Sequence, residues 1–97
     1  MNFDRQGILE TLENIFPGLK EKYGVTKIGI FGSVARNEPD VESDVDIVVE
    51  MEPDLLKRAS LKGELESILG KEVDVVRYRQ GMNKFLKNRI DNEGLYV

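Results

Sequence analysis

The sequence predicts a small α/β (α+β) domain, in which helices flank a short, mixed β-sheet. Apolar residues recur at helical spacing in several segments, and three short segments are rich in β-branched residues. These strand-like segments are interleaved with the helical ones, which is typical of helices packed on a sheet. The 97 residues fit one domain, 1–97, and the hydrophobic fraction of 40% is typical of a folded globular protein.

The first half of the chain predicts two helices followed by two strands. An apolar stripe indicates a helix over residues 4–15; it consists of Ile8, Leu9, Leu12, Ile15 and Phe16. Pro17 fits the first turn of a helix better than its interior, so a second helix is expected over residues 17–23, ended by Gly24. Residues 25–31 predict strand one, residues 33–36 a brief helical turn, and residues 45–49 strand two.

The second half predicts a helix, a strand and a final helix. Pro53 and Gly70 bracket the third helix, whose apolar residues are Leu55, Leu56, Ala59, Leu61, Leu65, Ile68 and Leu69. Residues 72–77 predict strand three. The final helix carries Met82, Phe85, Leu86 and Ile90, and residues 95–97 form an apolar tail.

Composition excludes several classes of function. The chain has no cysteine and no histidine, so a general base must be a carboxylate, lysine, tyrosine or water, and zinc catalysis is not expected. The net charge of −4 opposes direct nucleic-acid binding through phosphate neutralisation. No signal peptide and no apolar run of about 20 residues is present, so we expect a cytoplasmic protein without a membrane partner.

The residues with the clearest chemistry lie between Gly32 and Asp46. Gly32-Ser33 follows an apolar run, and ten residues separate Ser33 from the pair Asp44 and Asp46. Side chains two apart in a strand share a face, about 7 Å apart. At that distance two carboxylates repel by about 2 kcal/mol in a medium of dielectric 20. This pattern favours a bound cation, for which Mg²⁺ is the natural choice beside phosphates.

Further residues are candidates for the same site. Asp74 becomes a third metal ligand, and a base for an attacking hydroxyl, if strand three lies beside strand two. Gly32 lets the backbone approach a phosphate, and Ser33 can donate its hydroxyl and N–H. Arg36 either reaches the same phosphates or holds the acidic loop. Ser43 is a candidate nucleotide-binding residue that is also placed to cap the turn before Asp44.

At these residues the chain resembles the minimal nucleotidyltransferases of the DNA polymerase beta-like superfamily. The shared signature is Gly-Ser, ten residues and Asp-x-Asp, and flanking positions match as well: Ile30-Phe31, Ala35-Arg36, Ser43 and Ile47-Val48-Val49. Asp74 falls where the family has its third carboxylate. One departure is Asn37, where the family often has glycine; asparagine tolerates a left-handed backbone better than most residues, so the turn is expected to form.

The resemblance implies a nucleotidyltransferase fold and transfer of AMP from ATP with release of pyrophosphate. Asp44, Asp46 and Asp74 would bind two Mg²⁺ ions, and Gly32 with Ser33 would bind the triphosphate. In stand-alone small members the partner is typically a HEPN-domain RNase toxin. The resemblance thus implies a protein adenylyltransferase antitoxin that adds AMP to a tyrosine of that toxin.

Two alternatives stay open at the level of sequence. The first alternative to the adenylyltransferase antitoxin is a non-catalytic module that blocks the toxin by complex formation. The second is a nucleotidyltransferase acting on a small molecule. The three carboxylates count against the first, and the short chain leaves little room for the acceptor pocket of the second. The basic tract 77–89 and the apolar tail 95–97 are candidate partner contacts.

Overall fold

The computed structural model describes residues 4–38 and 44–97. Within them no helix has both the length and the apolar composition needed to cross a membrane. The elements, in chain order, are α1 (Arg5–Tyr23), β1 (Lys27–Phe31), α2 (Gly32–Ala35), β2 (Val45–Glu50), α3 (Leu55–Leu69), β3 (Val73–Arg77), α4 (Lys84–Glu93) and β4 (Leu95–Tyr96).

The strands form one mixed sheet in the order β3-β2-β1-β4. Strand β1 runs antiparallel to both β2 and β4, whereas β2 runs parallel to β3. The predicted small mixed sheet with flanking helices is therefore confirmed. The parallel pair has α3 as its crossover, which is how parallel neighbours are usually connected.

Each face of the sheet is covered by different helices, because alternate residues of a strand point to opposite sides. On one face, Ile47 of β2 is buried in a cluster with Leu12 of α1 and Leu65 of α3. On the other face, Val48 is buried with Ile90 of α4. The second face is the one toward which the acidic residues of β2 and β3 also point.

Helix α1 is continuous, and the predicted break at Pro17 is wrong. Proline inside a helix costs about 3 kcal/mol, because it removes one hydrogen bond and crowds the preceding turn. Leu12 and Leu19 are nevertheless both buried, one on each side of Pro17. Burying one leucine contributes about 1.5–3 kcal/mol, so packing along the whole stripe offsets the cost of the proline.

The C-terminal segment, predicted to be an apolar tail, is instead an edge strand. Leu95 and Tyr96 pair with β1, and the N–H of Val97 donates to the carbonyl of Ile28 at 3.1 Å. The close approach depends on Gly29, where a Cβ would collide with the carbonyl oxygen of Leu95. This segment is therefore part of the sheet, and its three side chains are partly exposed.

Three apolar residues assigned to the predicted helices are exposed. Leu55 and Leu56 are 76% and 83% exposed, and Phe85 is 75% exposed. Helix α3 begins at Leu55, with the side chain of Asp54 accepting the N–H of Lys57 as an N-terminal cap. The two leucines therefore belong to its first turn, ahead of the part that packs against the sheet.

Candidate active site

Two of the three candidate carboxylates lie side by side on neighbouring strands. Asp46 in β2 pairs in register with Asp74 in the parallel strand β3. Adjacent strands are about 4.7–4.9 Å apart, so the two side chains leave the same face of the sheet as neighbours. Asp44 directly precedes β2 and is exposed. The sheet order thus provides the adjacency that a shared site for these residues requires.

Asp46 is the half-buried member of this group, and its ionisation is disfavoured. Burial raises the pKa of Asp46 above its ordinary value, and the negative charge of Asp74 raises it further. Asp44 acts in the same direction, while Arg89 and Arg36 lower the pKa. A cation beside Asp46 would favour its charged form in the same way as these arginines.

The chemistry of these carboxylates fits Mg²⁺. Within residues 4–38 and 44–97 the structure holds no ready-made group of three metal-ligating side chains. Mg²⁺ takes oxygen ligands and usually needs only one or two carboxylates besides water and phosphate oxygens. The register of Asp46 with Asp74 and the raised pKa of Asp46 both fit a divalent-ion site.

The turn after β1 brings the backbone directly against Asp46. Phe31, the last residue of β1, pairs in register with Asp46, and Gly32 follows with a φ of +75°. A Cβ at position 32 would collide with Oδ2 of Asp46. The positive φ favours glycine here, and a Cβ would in addition have to displace the carboxylate of Asp46.

The rest of the turn presents Ser33 and ends at Asn37. Ser33 is half-buried within α2, one residue beyond Gly32. Asn37 has a φ of +60°, so the expectation that asparagine supports a left-handed residue at this point is confirmed. Ser43, the remaining candidate for nucleotide binding, lies outside the described residues.

Arg36 contacts two acidic residues. Its Nη1 donates to Oε1 of Glu93 at 2.9 Å, and its Nε donates to Oε2 of Glu38 at 3.4 Å. Both bonds raise the pKa of Arg36, the one to Glu93 most strongly. The other carboxylate oxygen of Glu93 accepts the N–H of Gly32 at 3.0 Å. Arg36 thus ties the end of α2 to α4.

Arg89 places a second cation at the carboxylates. Its Nη2 lies 3.5 Å from the position that a Cβ of residue 32 would take. Its guanidinium also lies over the ring of Phe31, with Cζ 5.7 Å from the ring centroid. The positive charge of Arg89 therefore lies beside both Asp46 and the glycine turn.

The sequence does not predict that Arg89 and Glu93 belong to the site. Arg89 belongs to the basic tract 77–89, where a solvated helix face is the simplest interpretation. Glu93 reaches Gly32 across 61 residues, and nothing local to either residue indicates the contact. The available signal was their spacing of four residues, which puts both on one face of α4.

The arrangement combines groups that suit a nucleoside triphosphate. A tight glycine turn, a serine hydroxyl and two arginines lie at the end of β1, and paired carboxylates lie on the next two strands. Backbone N–H groups and arginines bind phosphate oxygens, and carboxylates hold the metal ions that bridge them. These are the parts that transfer of a phosphoryl or nucleotidyl group requires.

Comparison with known proteins agrees with this chemistry. Residues 12–97 match the family model for the nucleotidyltransferase domain. The protein adenylyltransferase MntA of Thermococcus cleftensis is 39% identical over 95 residues, which are 92% of this chain and 95% of that protein. A Methanocaldococcus jannaschii protein, provisionally named a protein adenylyltransferase, is 50% identical over 78% of this chain and 83% of its own length.

Solved structures share the fold. One described as a minimal nucleotidyltransferase has a TM-score of 0.79 at 32% identity, over 97% of this chain and 96% of that one. A toxin–antitoxin structure with AMP-PNP has a TM-score of 0.71 at 26% identity, over 87% of this chain and 70% of that one. The match of residues 12–97 and the identity to the archaeal proteins show that this chain is a nucleotidyltransferase and belongs to the nucleotidyltransferase domain family.

Proposed function

We propose that this chain is a protein adenylyltransferase antitoxin, which transfers AMP from ATP to a tyrosine of a cognate HEPN-domain RNase toxin. The observation that carries the proposal is the register of Asp46 with Asp74 beside the turn at Gly32. The names of the archaeal relatives support the protein acceptor. The toxin–antitoxin structure with AMP-PNP supports the adenine nucleotide and the toxin partner.

In this proposal the residues divide between holding the nucleotide and activating the acceptor. Asp44, Asp46 and Asp74 would hold two Mg²⁺ ions, which when bound offset the charge of the triphosphate and of the leaving pyrophosphate. Ser33 donates its hydroxyl and N–H to phosphate oxygens, and Gly32 leaves space for the close approach. We assign Arg36 and, outside the described residues, Ser43 to nucleotide binding.

The proposed reaction forms one bond and breaks one. The tyrosine oxygen bonds to the α-phosphorus of ATP, while the bond from that phosphorus to the oxygen leading to the β-phosphate breaks. Pyrophosphate leaves with the electron pair, and the phenolic proton passes to the carboxylate of Asp74. Asp74 is exposed at the edge strand of the sheet, so a hydroxyl of another protein can reach it.

The surroundings of Asp74 favour a macromolecular acceptor. An open groove of about 240 Å³ is lined by Asp74 of the edge strand β3 and by Ala59 and Lys62 of α3, on the α3 side of the sheet. Small-molecule sites are enclosed clefts of about 300–1,000 Å³ that bury most of the ligand. Neither the exposed carboxylate of Asp74 nor this open groove provides such an enclosure, and this openness suits a hydroxyl presented by a partner protein. Because ATP is the proposed donor, we place the reaction in the cytoplasm.

Intact-mass spectrometry of the HEPN-domain RNase tests this proposal. The toxin is incubated with the chain, ATP and Mg²⁺, and its mass should rise in steps of one adenylyl group, with tyrosine as the modified residue in peptide maps. Asp74→Asn should slow the transfer by about 10²- to 10⁴-fold, as expected for loss of a general base. Asp46→Asn should abolish it.

Asp54→Asn serves as the matched control. Asp54 caps α3 away from the site, and asparagine caps a helix equally well, so transfer should be unchanged. Toxin that stays unmodified but is inhibited equally by wild type and Asp46→Asn would replace the enzyme with a binding module. Transfer to a small alcohol in the absence of any protein would indicate a small-molecule enzyme.

A further inference from the structure

Glu93 connects both ends of the short helix α2 to the end of α4. Its Oε2 accepts the N–H of Gly32 at 3.0 Å, and its Oε1 accepts Nη1 of Arg36 at 2.9 Å. Gly32 is the first residue of α2, and Arg36 directly follows the last. The side chain of Glu93 is only 22% exposed. One carboxylate thus contacts the residues that begin and follow the helix.

A four-residue helix needs such external contacts. The first N–H groups of any helix have no partner inside it, and one turn is too short to be stable by its own hydrogen bonds. Glu93 satisfies the first N–H, and Arg5 of α1 donates to the carbonyl of Ala35 at the other end at 3.2 Å. The geometry of the turn therefore depends on residues far away in the sequence.

We propose that Glu93 is a positioning residue for the nucleoside triphosphate, an inference that rests on the proposed use of ATP. Glu93 fixes the orientation of α2, so that the hydroxyl and N–H of Ser33 are held ready for phosphate oxygens. It also holds the guanidinium of Arg36 at the end of α2. The charge of Arg36 offsets that of Glu93, so the carboxylate adds little net repulsion toward the phosphates.

The backbone around Glu93 favours a permanent contact over one that a phosphate displaces. Ile90, one turn earlier, is buried, and the N–H of Gly94 donates to its carbonyl at 2.7 Å. The next residue, Leu95, pairs with β1. With the chain fixed on both sides, the backbone of Glu93 is held within reach of the turn. A carboxylate that merely occupied the position of a phosphate would compete with the nucleotide. Its removal would then tighten nucleotide binding, whereas removal of a positioning residue weakens it.

The affinity for AMP-PNP with Mg²⁺, measured by calorimetry, tests the proposal without any acceptor protein. Glu93→Ala should weaken binding by about tenfold, in keeping with the loss of hydrogen bonds to a charged group. Glu93→Gln keeps acceptor oxygen but loses the charge, and should bind with intermediate affinity. Glu13→Gln on the exposed side of α1 is the matched control and should bind like wild type.

Transfer kinetics give a second readout. In Glu93→Ala the KM for ATP should rise about as much as the dissociation constant, with kcat at saturating ATP within twofold of wild type. Arg36→Gln should weaken AMP-PNP binding less in the Glu93→Ala background than in wild type, because Arg36 is then no longer held.

Unchanged or tighter AMP-PNP binding by Glu93→Ala and Glu93→Gln would overturn the proposal, and tighter binding would identify a competing carboxylate. If Glu93→Ala does not fold, as judged by circular dichroism, the AMP-PNP affinity of Glu93→Gln decides the test. Weaker nucleotide binding by these variants, together with a toxin that wild type leaves unmodified, would overturn the proposed acceptor and leave the role of Glu93 standing.

Discussion

Gly32 is the residue on which most of the site geometry converges. Its φ of +75° joins β1 to α2, its N–H reaches Glu93, and its missing side chain leaves room for Asp46. A substitution at this position affects the backbone and the carboxylate at once.

Replacing Gly32 with alanine should impair both folding and activity. The left-handed backbone costs an L-residue about 1–2 kcal/mol, and the new methyl group must displace the carboxylate of Asp46. We expect a lower free energy of unfolding in urea and no detectable AMP transfer. Gly63→Ala is the matched control: Gly63 lies in α3 with no atom near the added methyl, so stability should rise by about 0.4–1 kcal/mol. Full transfer activity in Gly32→Ala would contradict this account.

At the residue scale, the sequence predicts well what is local. The glycine turn and the Asp-x-Asp pair are each contained in a few neighbouring residues, and Asp74 follows from alternation in a recognisable strand. Glu93 and Arg89 are different, because their roles depend on how α4 packs over β1. That packing brings together residues 61 positions apart, which a reading of local patterns does not detect.

Among the elements, α1 and α3 are joined by a polar contact as well as by the core. The hydroxyl of Tyr23 donates to Oε1 of Glu64 at 2.8 Å, and Nζ of Lys22 donates to the same oxygen at 3.0 Å. These bonds lower the pKa of Glu64, with Tyr23 contributing most. The stabilisation is therefore present above the ordinary pKa of glutamate and is lost as the pH falls through the lowered folded value.

Tyr23→Phe should accordingly reduce stability in a pH-dependent manner. At pH 7 we expect a loss of a few tenths to about 1 kcal/mol, because the pair is partly exposed. The difference should shrink as the pH falls through the lowered folded pKa of Glu64, where the carboxylate loses its charge. Urea denaturation across an acidic pH series measures it. In a Glu64→Gln background the effect of Tyr23→Phe should not depend on pH, and an unchanged pH dependence there would assign the effect to another group.

At the element scale, periodicity predicts the strands and α3 to within a few residues but not α1 or β4. Pro17 indicates a break, yet the buried stripe on both sides of it keeps α1 whole. Strand β4 has two residues, too few to show alternation, and forms because Gly29 allows its close approach. In both cases tertiary packing overrides the local signal.

For the whole molecule, β4 closes one edge of the sheet. Deleting residues 95–97 removes its pairing with β1 and uncovers partly buried apolar side chains. We expect a loss of about 2–4 kcal/mol in the free energy of unfolding. The exposed edge of β1 should also promote self-association, seen by size-exclusion chromatography with light scattering. Leu95→Ala keeps the backbone pairing and should lose stability while staying monomeric; self-association of that variant as well would point away from the strand edge.

The bond between Glu93 and Gly32 closes a loop of the chain that contains β2, α3 and β3. A nascent or cleaved chain that ends before residue 93 would carry the signature aspartates but not the fixed turn. Ligand binding stabilises only the state that binds, by about 2.7 kcal/mol at a hundredfold excess over the dissociation constant. If ATP is the donor, as proposed, it would therefore protect chains that contain Glu93 from unfolding and proteolysis more than chains that end before it.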